Sequence, residues 1–117
     1  MRRGDVFDAR LDPVEGSEQA GIRPVVVVSR DAINQASPVV VVVPCTTWRV
    51  DRRIYPSQLL LKTPDGGLKV DSVALCEQIR AVAKTRLRSR RGALSPEAMR
   101  RLERALLIAL DLPSSDL

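Results

Sequence analysis

Two uninterrupted runs of valine, Val25–Val28 and Val39–Val43, constrain the fold of this chain more than any other feature. β-Branched side chains favour extended backbone, and a strand with one wet face alternates apolar with polar residues. Neither run alternates, so each is expected to be a central strand with both faces covered. The corresponding strands are read as Pro24–Ser29 and Pro38–Pro44. Asp5–Arg10 and Val70–Cys76, also bounded by turn formers, add two more. A shorter run, Gln58–Lys62, enters Thr63-Pro64-Asp65-Gly66-Gly67, and a strand resuming near Lys69 makes this a hairpin. Ile79–Val82 either continues the Val70 strand or pairs after a bend.

The period changes near the end. Ser95-Pro96-Glu97 supplies a hydroxyl N-cap, a proline at the first helical position and an acid in the first turn. Met99, Leu102, Leu106 and Leu110 then recur at three- and four-residue steps, with Arg100, Arg101, Glu103 and Arg104 on the other side. The pattern predicts an amphipathic helix of about four turns, packed on the rest and ended near Pro113. Short strands with one long helix predict a mostly β fold with some α: a compact, mainly antiparallel barrel carrying helices. At 117 residues and 44% hydrophobic, the chain can build one core but not two. We expect one domain over residues 1–112 and a short tail at 113–117.

Cys45 and Cys76 lie in apolar runs without CxxC spacing, and no secretory apolar stretch precedes them. They are expected to be small buried hydrophobes, unbridged, in a reducing cytoplasm. No apolar stretch approaches the roughly 20 residues needed to cross a membrane. A net charge of +5, carried more by Arg than by Lys, suits an anionic partner.

Two loops attract the chemistry. The first, Asp12–Pro24, is polar and longer than a hairpin needs, which favours a mobile functional loop. Arg23 stands at its exit, where a stiff strand would fix a charged side chain; a surface ion pair with a neighbouring Glu is the alternative. The second, Thr46–Pro56, holds Trp48 and Tyr55, two of the three aromatics in the chain, among Arg49, Arg52 and Arg53. Bases of a single strand stack on aromatic faces while Arg reaches phosphates, so this composition suits single-stranded nucleic acid. Either ring could instead plug the core. Thr46 and Thr47 end a strand, where a hydroxyl most often satisfies a neighbouring backbone group.

Four segments, in order, carry a resemblance: Arg3–Phe7, Gly16-Ser17-Glu18-Gln19-Ala20-Gly21-Ile22-Arg23-Pro24 with the valines after it, Val43-Pro44-Cys45-Thr46-Thr47, and Asp71–Arg80. Together they resemble the MazF/PemK family of toxin endoribonucleases over nearly the whole chain. The resemblance implies an SH3-like β-barrel with a C-terminal amphipathic helix, with residues 1–112 as the toxin domain. It implies a homodimer with RNA in a groove across its interface. It further implies sequence-selective, metal-independent cutting of single-stranded RNA to a 2′,3′-cyclic phosphate and a 5′-hydroxyl, without a cofactor. An acidic antitoxin, folding on contact, would neutralise it.

By the same resemblance Arg23 and Thr46 are the catalytic pair. The chain has no histidine, so an imidazole acid–base pair is excluded. A guanidinium is protonated at any ordinary pH, so Arg23 is assigned to phosphate charge and leaving-group protonation, and Thr46 to a hydrogen bond on the scissile phosphate. Glu18, Gln19, Thr47, Trp48, Arg49, Glu77 and Gln78 are the remaining candidates for holding RNA, with Glu18 or Glu77 as a general base. One branch of the family pairs such an acid with an Arg two positions earlier and a His in the first loop. Here Leu75 and Ser17 stand in those places. Two alternatives are a non-catalytic toxin of the same fold that binds DNA gyrase, and an RNA-binding module that leaves the strand whole.

Overall fold

The valine runs lie side by side in the middle of a seven-stranded sheet in the computed structural model, which describes residues 1–113. The elements are β1 (Asp5–Arg10), β2 (Ile22–Val27), α1 (Asp31–Ala36), β3 (Val39–Thr47), β4 (Gln58–Leu61), β5 (Ser72–Leu75), β6 (Arg80–Ala83), β7 (Leu87–Ala93) and α2 (Pro96–Leu110). The strand path is β4-β5-β3-β2-β1-β7, with β6 also on β3, and every pairing is antiparallel. Val39–Val42 of β3 pairs with β6 and Cys45–Thr47 with β5. Pro44, which has no N–H to give to a ladder, stands at that handover.

Both faces of the valine strands are covered. Val26 and Val43 pack with Val6, Leu59, Leu61 and Leu102 in one cluster, on which α2 lies. Val25, Val27, Val40 and Val42 pack with Ala9 and Leu11 in another. A fully buried valine side chain contributes about 1.5–3 kcal/mol over an exposed one, so these alternating residues dominate the core. Coverage is incomplete at Val39, which is exposed, and at Val28 and Val41, which are half-buried.

Several boundaries differ from expectation. β3 runs on to Thr47, so Thr46 and Thr47 belong to the strand. The segment after Val70 bends at Cys76–Gln78, and β6 turns back to pair with β3. α1 and β7 were not anticipated. The six residues of α1 are too few to show a period, and β7, Leu87-Arg88-Ser89-Arg90-Arg91-Gly92-Ala93, has no β-branched residue. Of the expected tail, all but Pro113 lies outside the described residues.

α2 starts where expected: Ser95 Oγ accepts a hydrogen bond from the Ala98 N–H at 3.2 Å. Asp65 extends the cap, accepting from the Ser95 N–H and hydroxyl, both at 2.8 Å. The helix ends earlier than expected, at Leu110, with Asp111 left-handed. Its buried stripe is Ala98, Leu102 and Ala105; Met99 and Leu106 are half-buried and Leu110 is exposed. No helix of the described chain is long and apolar enough to cross a membrane.

β4 and β7, the ends of the strand path, are not paired with each other, so the sheet is not a hydrogen-bonded ring. The Asp65–Gly67 turn lies against β7 instead. A Cβ added to Gly67 would fall 2.1 Å from the carbonyl oxygen of Arg91.

Candidate functional site

Arg23 and Thr46 meet because neighbouring strands carry them. β2 and β3 pair Val25 with Pro44, and that register continued by two residues sets Arg23 across from Thr46. Both line one small cleft of about 70 Å³, together with Thr47, Lys69, Ser72 and Arg91. The Arg23 Nε donates to the Ala20 carbonyl at 3.1 Å, which holds the side chain and leaves both terminal nitrogens without a protein partner among the described residues. Thr46 is 9% exposed, yet its hydroxyl makes no hydrogen bond within the described protein. The backbone-satisfying role expected of a strand-end threonine is therefore not the one this residue plays.

The lining of this cleft is cationic. Among the described residues it contains Arg23, Lys69 and Arg91 and no carboxylate. Arg91 is held by Asp8, its Nε donating to Oδ1 at 2.7 Å, with both side chains about a quarter exposed. Such a concavity suits a phosphate, whose oxygens accept from guanidinium and hydroxyl donors. Cys45 also lines it, but burial pushes its thiol up to about 12, so it is no thiolate nucleophile at neutral pH. Cys76 is likewise buried, free and pushed up to about 12.

A second cleft, of about 220 Å³, is lined by Leu11, Glu18, Gln19, Pro44, Glu77, Gln78, Ile79 and Arg80. Pro44 in its lining and Thr46 in the first are two residues apart on β3, and so lie on one face of that strand. Gln78 uses its amide on the first loop, accepting from the Gln19 N–H at 2.9 Å and donating to the Ser17 carbonyl at 3.3 Å. Glu18 accepts from the Glu15 N–H at 3.0 Å, and Glu77 from the Gln58 amide at 2.6 Å. Arg80 and Arg86 add hydrogen bonds to the carbonyls of Leu11, Arg10 and Asp12. The loop expected to be mobile is thus fastened at its start and in its middle to the segment 78–86. Within this cleft the Gln19 side-chain oxygen is buried without a partner among the described residues, an acceptor that a bound donor would satisfy.

The candidates from sequence therefore fall into two neighbouring groups. Arg23, Thr46 and Thr47 share the cationic cleft; Glu18, Gln19, Glu77 and Gln78 share the other. Neither acid lines the cleft that holds Arg23 and Thr46. Trp48 and Arg49 line neither. Trp48 is half-buried with its backbone N–H on the Asp71 carbonyl at 2.9 Å, and Arg49 is exposed. One face of Tyr55 is covered by the Arg53 guanidinium, 5.1 Å from the ring centroid, and is closed to a stacking base. Lys69 and Arg91 were missed by sequence reasoning. Nothing local marks Arg91, since its partner Asp8 lies 83 residues away.

Comparison with known proteins agrees over nearly the whole chain. Residues 2–110 match the family described as PemK-like, MazF-like toxin of type II toxin-antitoxin system. The chain is 43% identical over 112 residues to the endoribonuclease MazF of Staphylococcus saprophyticus, covering 96% of this chain and 92% of that protein. Among solved structures it resembles an endoribonuclease from a mycobacterial species in complex with its cognate antitoxin. That match has a TM-score of 0.80 at 29% identity and covers 97% of this chain and 98% of the other. MazF of Deinococcus radiodurans, at 22% identity, shares the fold with a TM-score of 0.80 over 96% of this chain and 97% of its own. The chain belongs to the PemK-like, MazF-like toxins of type II toxin–antitoxin systems.

Proposed function

We propose that this protein is a sequence-selective endoribonuclease toxin that cuts single-stranded RNA without a metal, leaving a 2′,3′-cyclic phosphate and a 5′-hydroxyl. The observation that carries the reading is the cleft in which Arg23 and Thr46 meet with unengaged donors and, among the described residues, no carboxylate in the lining. In the reaction the 2′-oxygen bonds to phosphorus, the bond to the 5′-oxygen breaks, the 2′-hydroxyl loses a proton and the leaving oxygen gains one. Charge on the phosphoryl group rises as phosphorus becomes five-coordinate, and donors aimed there stabilise that state more than the diester. Arg23 supplies charge and a proton for the leaving oxygen; Thr46 supplies a hydrogen bond.

Glu18, Gln19, Glu77 and Gln78 are assigned to the bases flanking the cut, because the neighbouring cleft offers carboxylate and amide groups suited to base edges. A general base from this set must reach in from that cleft. Trp48, Arg49 and Thr47 are assigned to the strand where it leaves the clefts. The domain is read as residues 1–112, with the curled sheet as an SH3-like barrel whose gap the Asp65–Gly67 turn fills. The working form is a homodimer with RNA across both copies, and an acidic antitoxin blocks the basic surface. Relatives named as endoribonucleases, one of them seen with its cognate antitoxin, support the activity and the partner.

The test is purified protein with a mixed-sequence single-stranded RNA in EDTA, with all new ends mapped. We expect cyclic-phosphate and 5′-hydroxyl ends at a recurring short sequence, absent with Arg23→Ala. RNA left whole, or cutting that persists unchanged in Arg23→Ala, rejects the proposal. New gyrase complexes without RNA ends would favour the non-catalytic toxin.

A further inference from the structure

Building on the endoribonuclease reading, we propose that Arg91 is a second catalytic guanidinium on the scissile phosphate and that Asp8 is the residue that aims it. Arg91 belongs to an edge strand with three exposed or half-exposed arginines, and its side chain is the most covered of those in ion pairs there. It is 23% exposed, against 53% for Arg90, which pairs with Asp5. Arg91 alone of them lines the cleft that holds Arg23 and Thr46.

Its hydrogen bonding leaves it available. Asp8 takes the Nε at 2.7 Å, and both terminal nitrogens lack a protein partner among the described residues. Because the guanidinium is planar and rigid, fixing Nε fixes the direction of the other donors. Behind the side chain, the close approach of Gly67 to the Arg91 carbonyl fixes the backbone.

The charge balance favours the transition state over the substrate. Arg23, Lys69 and Arg91 line the cleft, and among the described residues Asp8 is the one carboxylate bonded to any of them, leaving two positive charges. A phosphodiester carries one negative charge and the five-coordinate species two. Like charges this close repel in a partly dry cleft, and a dianion relieves that repulsion better than a monoanion. Binding that strengthens as charge develops raises kcat more than it lowers KM.

The experiment uses a short RNA with one cut site and the variants Arg91→Gln, Arg91→Lys and Asp8→Asn, with melting curves as a folding control. We expect Arg91→Gln to lower kcat about 100-fold with KM little changed. Arg91→Lys should recover part of that loss. Asp8→Asn should lower kcat less than Arg91→Gln and add nothing in the double variant, since a positioning residue acts only through the group it positions. An uncleavable 2′-deoxy analogue should bind all variants alike. Wild-type protein that leaves the RNA whole sinks both readings. Wild type that cuts, with Arg91→Gln cutting equally well or losing only in KM, sinks this one alone. So does equal loss in Arg91→Lys and Arg91→Gln accompanied by a lowered melting point, which would make the pair structural.

Discussion

Gly67→Ala tests how the fold holds its cationic cleft in place. Gly67 has φ +73°, a left-handed conformation that costs an L-residue about 1–2 kcal/mol. Its added Cβ would also stand 2.1 Å from the Arg91 carbonyl oxygen and 2.6 Å from the carbonyl carbon, where 3.0 Å is the practical floor. Both atoms are backbone, so no side chain can rotate away; the turn and β7 must part by close to an ångström. Overpacking of this kind costs about 1–3 kcal/mol, for a total of about 2–5 kcal/mol. At about 4 °C per kcal/mol for a domain of this size, the melting point should fall by about 8–20 °C. Gly16→Ala is the internal control, because Gly16 is also left-handed at φ +55° but has nothing within 4 Å of its added Cβ. It should lose about 4–8 °C from backbone strain alone. The assay is thermal unfolding followed by circular dichroism, with RNA cutting measured on folded protein. Misplacing a group in a reacting site by an ångström costs about 100-fold in rate, so Gly67→Ala should also cut poorly. Equal melting points for the two variants would refute the steric argument.

Three further outcomes are expected. Ser95→Ala removes the α2 cap and a donor to Asp65, and should cost about 1 kcal/mol, read as a modest fall in the urea midpoint with an unchanged slope. Cys45 and Cys76 should stay unlabelled by a thiol reagent at neutral pH and react once the protein is unfolded; labelling at native rates would contradict their burial. The hydrogen bond from the Arg3 N–H holds the Asp31 carboxyl below its ordinary value of 3.8. A lowered folded-state pKa gives stability that is present above 3.8 and lost as pH falls through the folded value. The stability gap between wild type and Asp31→Asn should therefore shrink on acidification below that point, and a gap that widened would reverse the assignment.

What could be read from the sequence was whatever repeats locally. The valine runs announce buried strands because four or five β-branched residues in a row leave no wet face, and Val25, Val26, Val42 and Val43 are all fully buried. Ser95-Pro96-Glu97 announces a helix start because capping is a contact across one turn. The apolar line drawn through Met99, Leu106 and Leu110 was displaced because small residues, Ala98 and Ala105, let the helix sit close to the sheet. β7 was invisible because an edge strand paired only with β1 needs no apolar alternation, and its arginines read as a solvated stretch. The two clefts were legible only through motif resemblance. Their residues come from separate strands and a loop, and the Asp8–Arg91 and Gln19–Gln78 contacts span 83 and 59 positions. Resemblance pointed to Arg23 and Thr46, which line one cleft, but had no motif for Arg91, which lines it too.

The central claim is that Arg23 and Thr46 act on one phosphodiester, and a double-variant cycle tests it directly. Arg23→Ala and Thr46→Val should each lower kcat/KM by about 100- to 1000-fold on a single-site RNA. If both donors serve the same phosphate, the double variant should fall no more than about tenfold below the worse single. Losses that multiply in full, or a Thr46→Val protein as active as wild type, would separate the two residues and contradict the account.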